Sequence, residues 1–109
     1  MRENLKTLNF IGKKVVLKSV LKKIKKIEDK HERIDVLKHA ISSNLDLKLH
    51  RIEMELKDLN KKEVDVFVIF AKANLLKMKI RYFNTTFHKK DFGMILKLFK
   101  EIEKELNKI

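Results

Sequence analysis

The apolar positions of this chain recur at helical spacing over most of its length. From Val16 onward, Val16/Leu17, Val20, Ile24, Ile27, Ile34, Leu37 and Ile41 fall on one stripe, the three-and-four alternation that buries one face of a helix. The spacing predicts a first helix that begins just after Gly12 and runs to about Ile41. Asp29 followed by Glu32 matches a capping box and predicts a split near residue 29. Residues 1–12 read as a disordered or extended arm. Ser42-Ser43-Asn44 reads as a turn whose side chains cap the next helix, with Asp46 in its first turn. A seven-residue seam follows at Leu45, Leu49, Ile52, Leu56 and Leu59, closed by Asn60. Asn60 with Glu63 can cap a third helix. The last helix is predicted from about Asp91 to Asn107, with Ile95, Leu98/Phe99, Ile102 and Leu106 facing inward.

The segment from Val64 to Phe83 supports two readings. As a helix it is apolar at Val64, Phe67, Ala71, Leu75, Met78 and Tyr82 on one side. It is apolar again at Val66, Ile69, Ala73, Leu76, Ile80 and Phe83 on the other, which calls for burial on two faces. As strands, Val64–Phe70 is β-branched and aromatic, and Met78, Ile80 and Tyr82 alternate with Lys77, Lys79 and Arg81. The centre, Ala71 to Lys79, consists of good helix formers and weak turn residues, so the helix is preferred. The predicted fold is all-α, a bundle of about four helices in one domain spanning 1–109. The alternative is an α+β domain with a β-hairpin or short meander within 45–83, flanked by helices. The absence of proline and the presence of only two glycines, Gly12 and Gly93, favour long helices over a turn-rich sheet.

Charge changes the picture next. Twenty-seven basic residues face 15 acidic ones, a net +12, and such an excess favours anionic partners. It is uneven: residues 1–30 carry ten basic and three acidic side chains, residues 31–63 seven of each, and residues 64–109 ten and five. Between Asn4 and Ile27 there are eight lysines and no acidic residue. Only four of the basic residues are arginine, the side chain that supplies the bidentate fork to guanine edges, so sequence-specific base readout is not expected. Glutamine is missing and lysine abundant, a genome-wide bias of the kind found in AT-rich genomes or at high temperature, to which part of the charge is ascribed.

Helical spacing sets Lys14, Lys18, Lys22 and Lys25 in one row with Lys26 alongside. Lysine rows of this kind neutralise phosphates without reading sequence. Arg81, Lys89 and Lys90 form a second basic cluster among Tyr82, Phe83, Phe87 and Phe92. Aromatics mixed with cations suit single-stranded nucleic acid, although phenylalanines more often belong to the core. An apolar stripe beside lysines also suits an anionic lipid surface, but here the stripe is needed for the core.

The remaining chemistry is sparse. No cysteine is present, which removes disulfides and thiolates and fits a reducing compartment. No apolar run spans a membrane, and the N-terminus lacks the apolar core of a signal peptide, so a cytoplasmic location is expected. His31 falls on the seam between Ile27 and Ile34 and is three residues after Glu28, the Glu-x-x-His spacing of di-iron bundles. No other histidine repeats that spacing, so no metal site or cofactor is predicted. Arg33 to His39 and Arg81 to His88 have a spacing similar to that of the HEPN family of helical ribonucleases, in which such a pair acts on an RNA phosphate across a dimer interface. Ile34 and Tyr82 stand where that family usually carries a polar residue. Phosphate-cradling glycine loops and nucleophile elbows are absent, and no small-molecule substrate is evident. The sequence therefore predicts no enzyme. It predicts a non-catalytic nucleic-acid (DNA or RNA) binding module using Lys14, Lys18, Lys22, Lys25, Lys26, Arg81, Lys89 and Lys90. The alternative is a protein-interaction or self-assembly module, based on the surplus of apolar positions in 64–83 and the seam of 45–59.

Overall fold

The computed structural model describes residues 5–109, and these form five helices with no strand among them. They are α1 (Leu5–Val15), α2 (Lys18–Lys25), α3 (Lys30–Lys61), α4 (Phe67–Thr86) and α5 (Lys89–Asn107). The all-helical expectation is met and the hairpin is not. In α4 the residues Ile69, Ala73, Leu76, Ile80 and Phe83 are buried at helical spacing. The tetrapeptide at which a hairpin would turn, Ala71 to Asn74, lies inside that helix. The β-branched start, Val64 to Val66, is the part that stays outside it, and the Asp65 carboxylate accepts from the Phe67 backbone N–H at 3.1 Å.

Two boundaries differ from the sequence-based expectation. The described part of the expected N-terminal arm, residues 5–12, is helical, and Leu8 and Ile11 are wholly buried. Gly12 therefore sits inside α1 rather than before it. A Cβ there would stand 3.1 Å from the Leu37 Cδ1 and 3.3 Å from the Leu21 Cδ2, so the glycine permits a close approach of α1, α2 and α3. The chain then breaks at Val16-Leu17, with Leu17 extended (φ −60°, ψ 142°). The break turns α2 so that Ile24 points inward.

The Ser42-Ser43-Asn44 turn is also absent, because α3 is continuous for 32 residues. Short polar side chains can serve a helix interior when they bond back to the preceding turn. Asn44 Nδ2 donates to the Ala40 carbonyl at 2.7 Å, and Ser43 Oγ lies 3.5 Å from His39 Nε2. The buried seam passes through them without interruption: Leu37, Ile41, Leu45, Leu49, Ile52, Leu56. The split near residue 29 is found as expected, with the Asp29 carboxylate accepting from the His31 N–H at 2.9 Å. His31 is exposed in this first turn, not on the seam. At the other end, Glu63 adopts a left-handed φ of 61° and Val64 N–H reaches back to the Leu59 carbonyl at 3.1 Å, a C-terminal exit in place of the expected cap on α4.

One core joins all five helices. α4 packs against α3 and α5, whereas α1 packs against α3 and touches α5; α1 and α2 make no contact with α4. The Cα extents are 52 × 28 × 17 Å. The longest matches α3, at about 1.5 Å per residue. The shortest leaves room for two helix layers, given interaxial distances of about 8–10 Å. The turn into α5 is held by three buried rings: Phe83 lies 5.1 Å from Phe87 and 5.8 Å from Phe92. Phe87 closes α4 in the left-handed region (φ 52°).

Candidate nucleic-acid interface

α2 is eight residues long and buries only Ile24, with Leu21 half-buried. Val20 and Leu17, expected within the buried stripe, are exposed. Every lysine from Lys13 to Lys26 is exposed. Among the described residues, no carboxylate pairs with any of them; the ion pairs involve Lys48, Lys62, Lys72 and Lys77.

This arrangement is locally unfavourable. Lys18 and Lys22, and Lys22 and Lys26, are like charges one turn apart, each costing about 0.2–0.5 kcal/mol. Lys18 also opens the helix, where the macrodipole favours an anion. Leu17 at the N-cap provides no side-chain bond to the first turn. A polyanion laid across this corner would relieve all three costs.

The expected basic row is divided by the structure. Lys18, Lys22, Lys25 and Lys26 belong to α2 and its C-cap, while Lys14 lies in the last turn of α1, beyond the break. The two expected patches nonetheless meet at one point. The exposed ring of Phe10 has Lys14 Nζ 5.2 Å and Lys89 Nζ 4.3 Å from its centroid. Lys14 also borders a hollow of about 260 Å³ with Lys48 and Arg51 at its rim and Val15, Leu45, Leu96 and Phe99 in its lining. Lys48 lies 4.6 Å from the Phe99 centroid and is paired with Glu103 at 3.3 Å, which leaves Lys14 and Arg51 as the cations there without an ion-pair partner among the described residues. Asn44, Lys48 and Arg51 share one face of α3. Reading Asn44 as a turn hides that spacing, and only the unbroken helix shows it.

Arg81 is placed apart from this track. It is exposed on α4, a helix that does not touch α1 or α2. Lys90 is exposed in the first turn of α5 beside Lys89. The aromatics expected near this cluster are core: Phe83, Phe87 and Phe92 are buried, and only Tyr82 is open to solvent. Of the two arginine–histidine pairs, His39 lies against Ser43, and His88 sits in the α4–α5 turn with Arg81 exposed on α4.

Among the described residues there is no cluster of three His, Cys, Asp or Glu able to hold a metal. Likewise, no helix is long and apolar enough to cross a membrane. No protein-family model, curated protein or solved structure matches the chain.

Proposed function

We propose that this protein is a non-catalytic module that binds nucleic acid, DNA or RNA, through phosphate contacts and without reading sequence. The observation that carries the proposal is the α1–α2 corner: Lys14, Lys18, Lys22, Lys25 and Lys26 are all exposed, close in sequence, and free of ion-pair partners among the described residues. Lys89 extends the corner across Phe10, with Lys90 next to it, and Arg51 extends it along α3. Arg81 belongs to a separate surface and is a minor contributor. The scarcity of arginine leaves phosphate neutralisation, not base-edge recognition, as the chemistry these residues supply.

Fluorescence anisotropy with short single- and double-stranded DNA and RNA, titrated over salt, tests the proposal. About five phosphate contacts give a log–log salt slope of roughly −4 to −5. The double variant Lys18→Glu/Lys22→Glu is expected to lower that slope by about 2 without lowering thermal stability. A wild-type chain that binds none of the four probes at 50 mM salt would overturn the reading. Binding only to anionic vesicles would replace it with an amphipathic lipid contact through Leu17 and Val20.

A further inference from the structure

The face of α4 turned away from the core is apolar and open. Phe67 is 79% exposed, Met78 68%, Tyr82 61% and Leu75 45%. With Ala71 they form a single stripe along about four turns of the helix; Val68 and Phe70 flank it, both at least half exposed. An aromatic side chain has about 150–250 Å² to bury, so these fractions leave roughly 600 Å² of apolar side chain uncovered. That is the upper end of the largest patch on a typical monomer, about 300–600 Å². It is most of one partner's share of a standard interface, about 800 Å². Among the described residues no helix lies over it.

We propose that a second copy of this chain covers this face, with the two α4 helices packed antiparallel about a two-fold axis near Leu75. Three observations select that occupant. First, the stripe is complementary to its own reverse. In an antiparallel register centred near Leu75, Phe67 of one copy meets Tyr82 of the other, Ala71 meets Met78, and Leu75 meets Leu75. Aromatic faces aromatic, and the smallest side chain faces the longest, as an isologous contact requires. Second, a hollow of about 200 Å³ between Leu75, Met78, Lys79, Tyr82 and Asp91 lies opposite the turn around Ala71 of the second copy in this register. Third, two of the lysines flanking the contact are paired, while Arg81, exposed beside Tyr82, and Lys79 stand as cations at its edges. Lys72 is within 3.9 Å of Glu105, and Lys77 is 3.9 Å from Glu53. The unpaired lysines of the α1–α2 corner belong to helices that α4 does not touch.

Sedimentation equilibrium of the full chain at 0.5 M salt tests the proposal under conditions that suppress polyanion binding. A dimer is expected, and Leu75→Glu is expected to convert it to monomer while the far-UV circular dichroism spectrum remains helical. The absence of native cysteine permits a second, geometric test. A mixture of Ala71→Cys and Met78→Cys chains, oxidised together, is expected to give mainly the mixed disulfide, whereas parallel packing would give each variant's own dimer. A wild-type monomer at 100 µM, a dimer indifferent to Leu75→Glu, or a predominance of like-with-like disulfides would each overturn the inference. None of these outcomes bears on the lysine corner, which is probed by Lys18→Glu/Lys22→Glu on a helix that makes no contact with α4.

Discussion

α2 and α4 are both incompletely satisfied by the fold, but for opposite reasons. α2 buries a single side chain and exposes lysines with no counter-charge among the described residues; α4 buries a full stripe of five and exposes another that is mostly apolar. Excess charge is costly through repulsion that salt screens. Excess apolar surface is costly through hydration that salt does not relieve. The two proposed contacts would therefore respond to ionic strength in different ways. The lesson is that charge excess and apolar excess should be traced to separate elements before either is assigned to a partner.

The comparison breaks most sharply within α4 itself. Leu76 is wholly buried and Leu75 is 45% exposed. Leu76→Ala is expected to cost about 2–5 kcal/mol in chemical denaturation, and Leu75→Ala, measured on the monomer, to stay within about 0.5 kcal/mol. Equal costs would show that α4 is buried on both sides. A smaller effect is expected where α2 meets the core. Gly12→Val forces a branched side chain toward Leu37 and Leu21, with a loss of about 1–3 kcal/mol; an unchanged denaturation midpoint would mean that α1 and α2 are not held against α3 there. The smallest effect is the most specific to the corner. Lys22→Ala removes two like-charge contacts and is expected to raise thermal stability slightly at low salt, by a few tenths of a kcal/mol, with the gain vanishing as salt is added. A loss of stability would mean that Lys22 has a structural partner.

Much of the architecture could be read from the spacing of apolar residues. The seam from Leu45 to Leu56, one of the two apolar faces of 64–83 and the inward positions of the last helix reappear in the core, because three-and-four spacing maps directly onto one helical face; the second face of 64–83, expected to be buried as well, is exposed. Local polar cues were the weaker guide. Ser42-Ser43-Asn44 carries the chemistry of a cap, but the same oxygens and amide can turn back onto the helix, and the uninterrupted burial of Ile41 and Leu45 decides in favour of continuity. Gly12 reads as a helix boundary when only its propensity is considered; its role as a point of close approach depends on Leu37, 25 residues further along. The lysines of the candidate site were evident from composition. Their junction with Lys89 at Phe10 and the neighbouring Arg51 were not, since both depend on how α5 and the unbroken α3 lie beside α1.

The single anchor of α2 has a consequence for motion. A helix of eight residues with one buried side chain has little to hold it when its neighbours stay folded. It belongs to the low-stability end of the molecule, where segments open locally while the long seam of α3 persists. Some of the binding free energy at the lysine corner would then be spent on ordering that segment, lowering affinity while letting it adjust to the path of the phosphate backbone. On the proposed reading, the corner would in exchange follow phosphate backbones of different curvature.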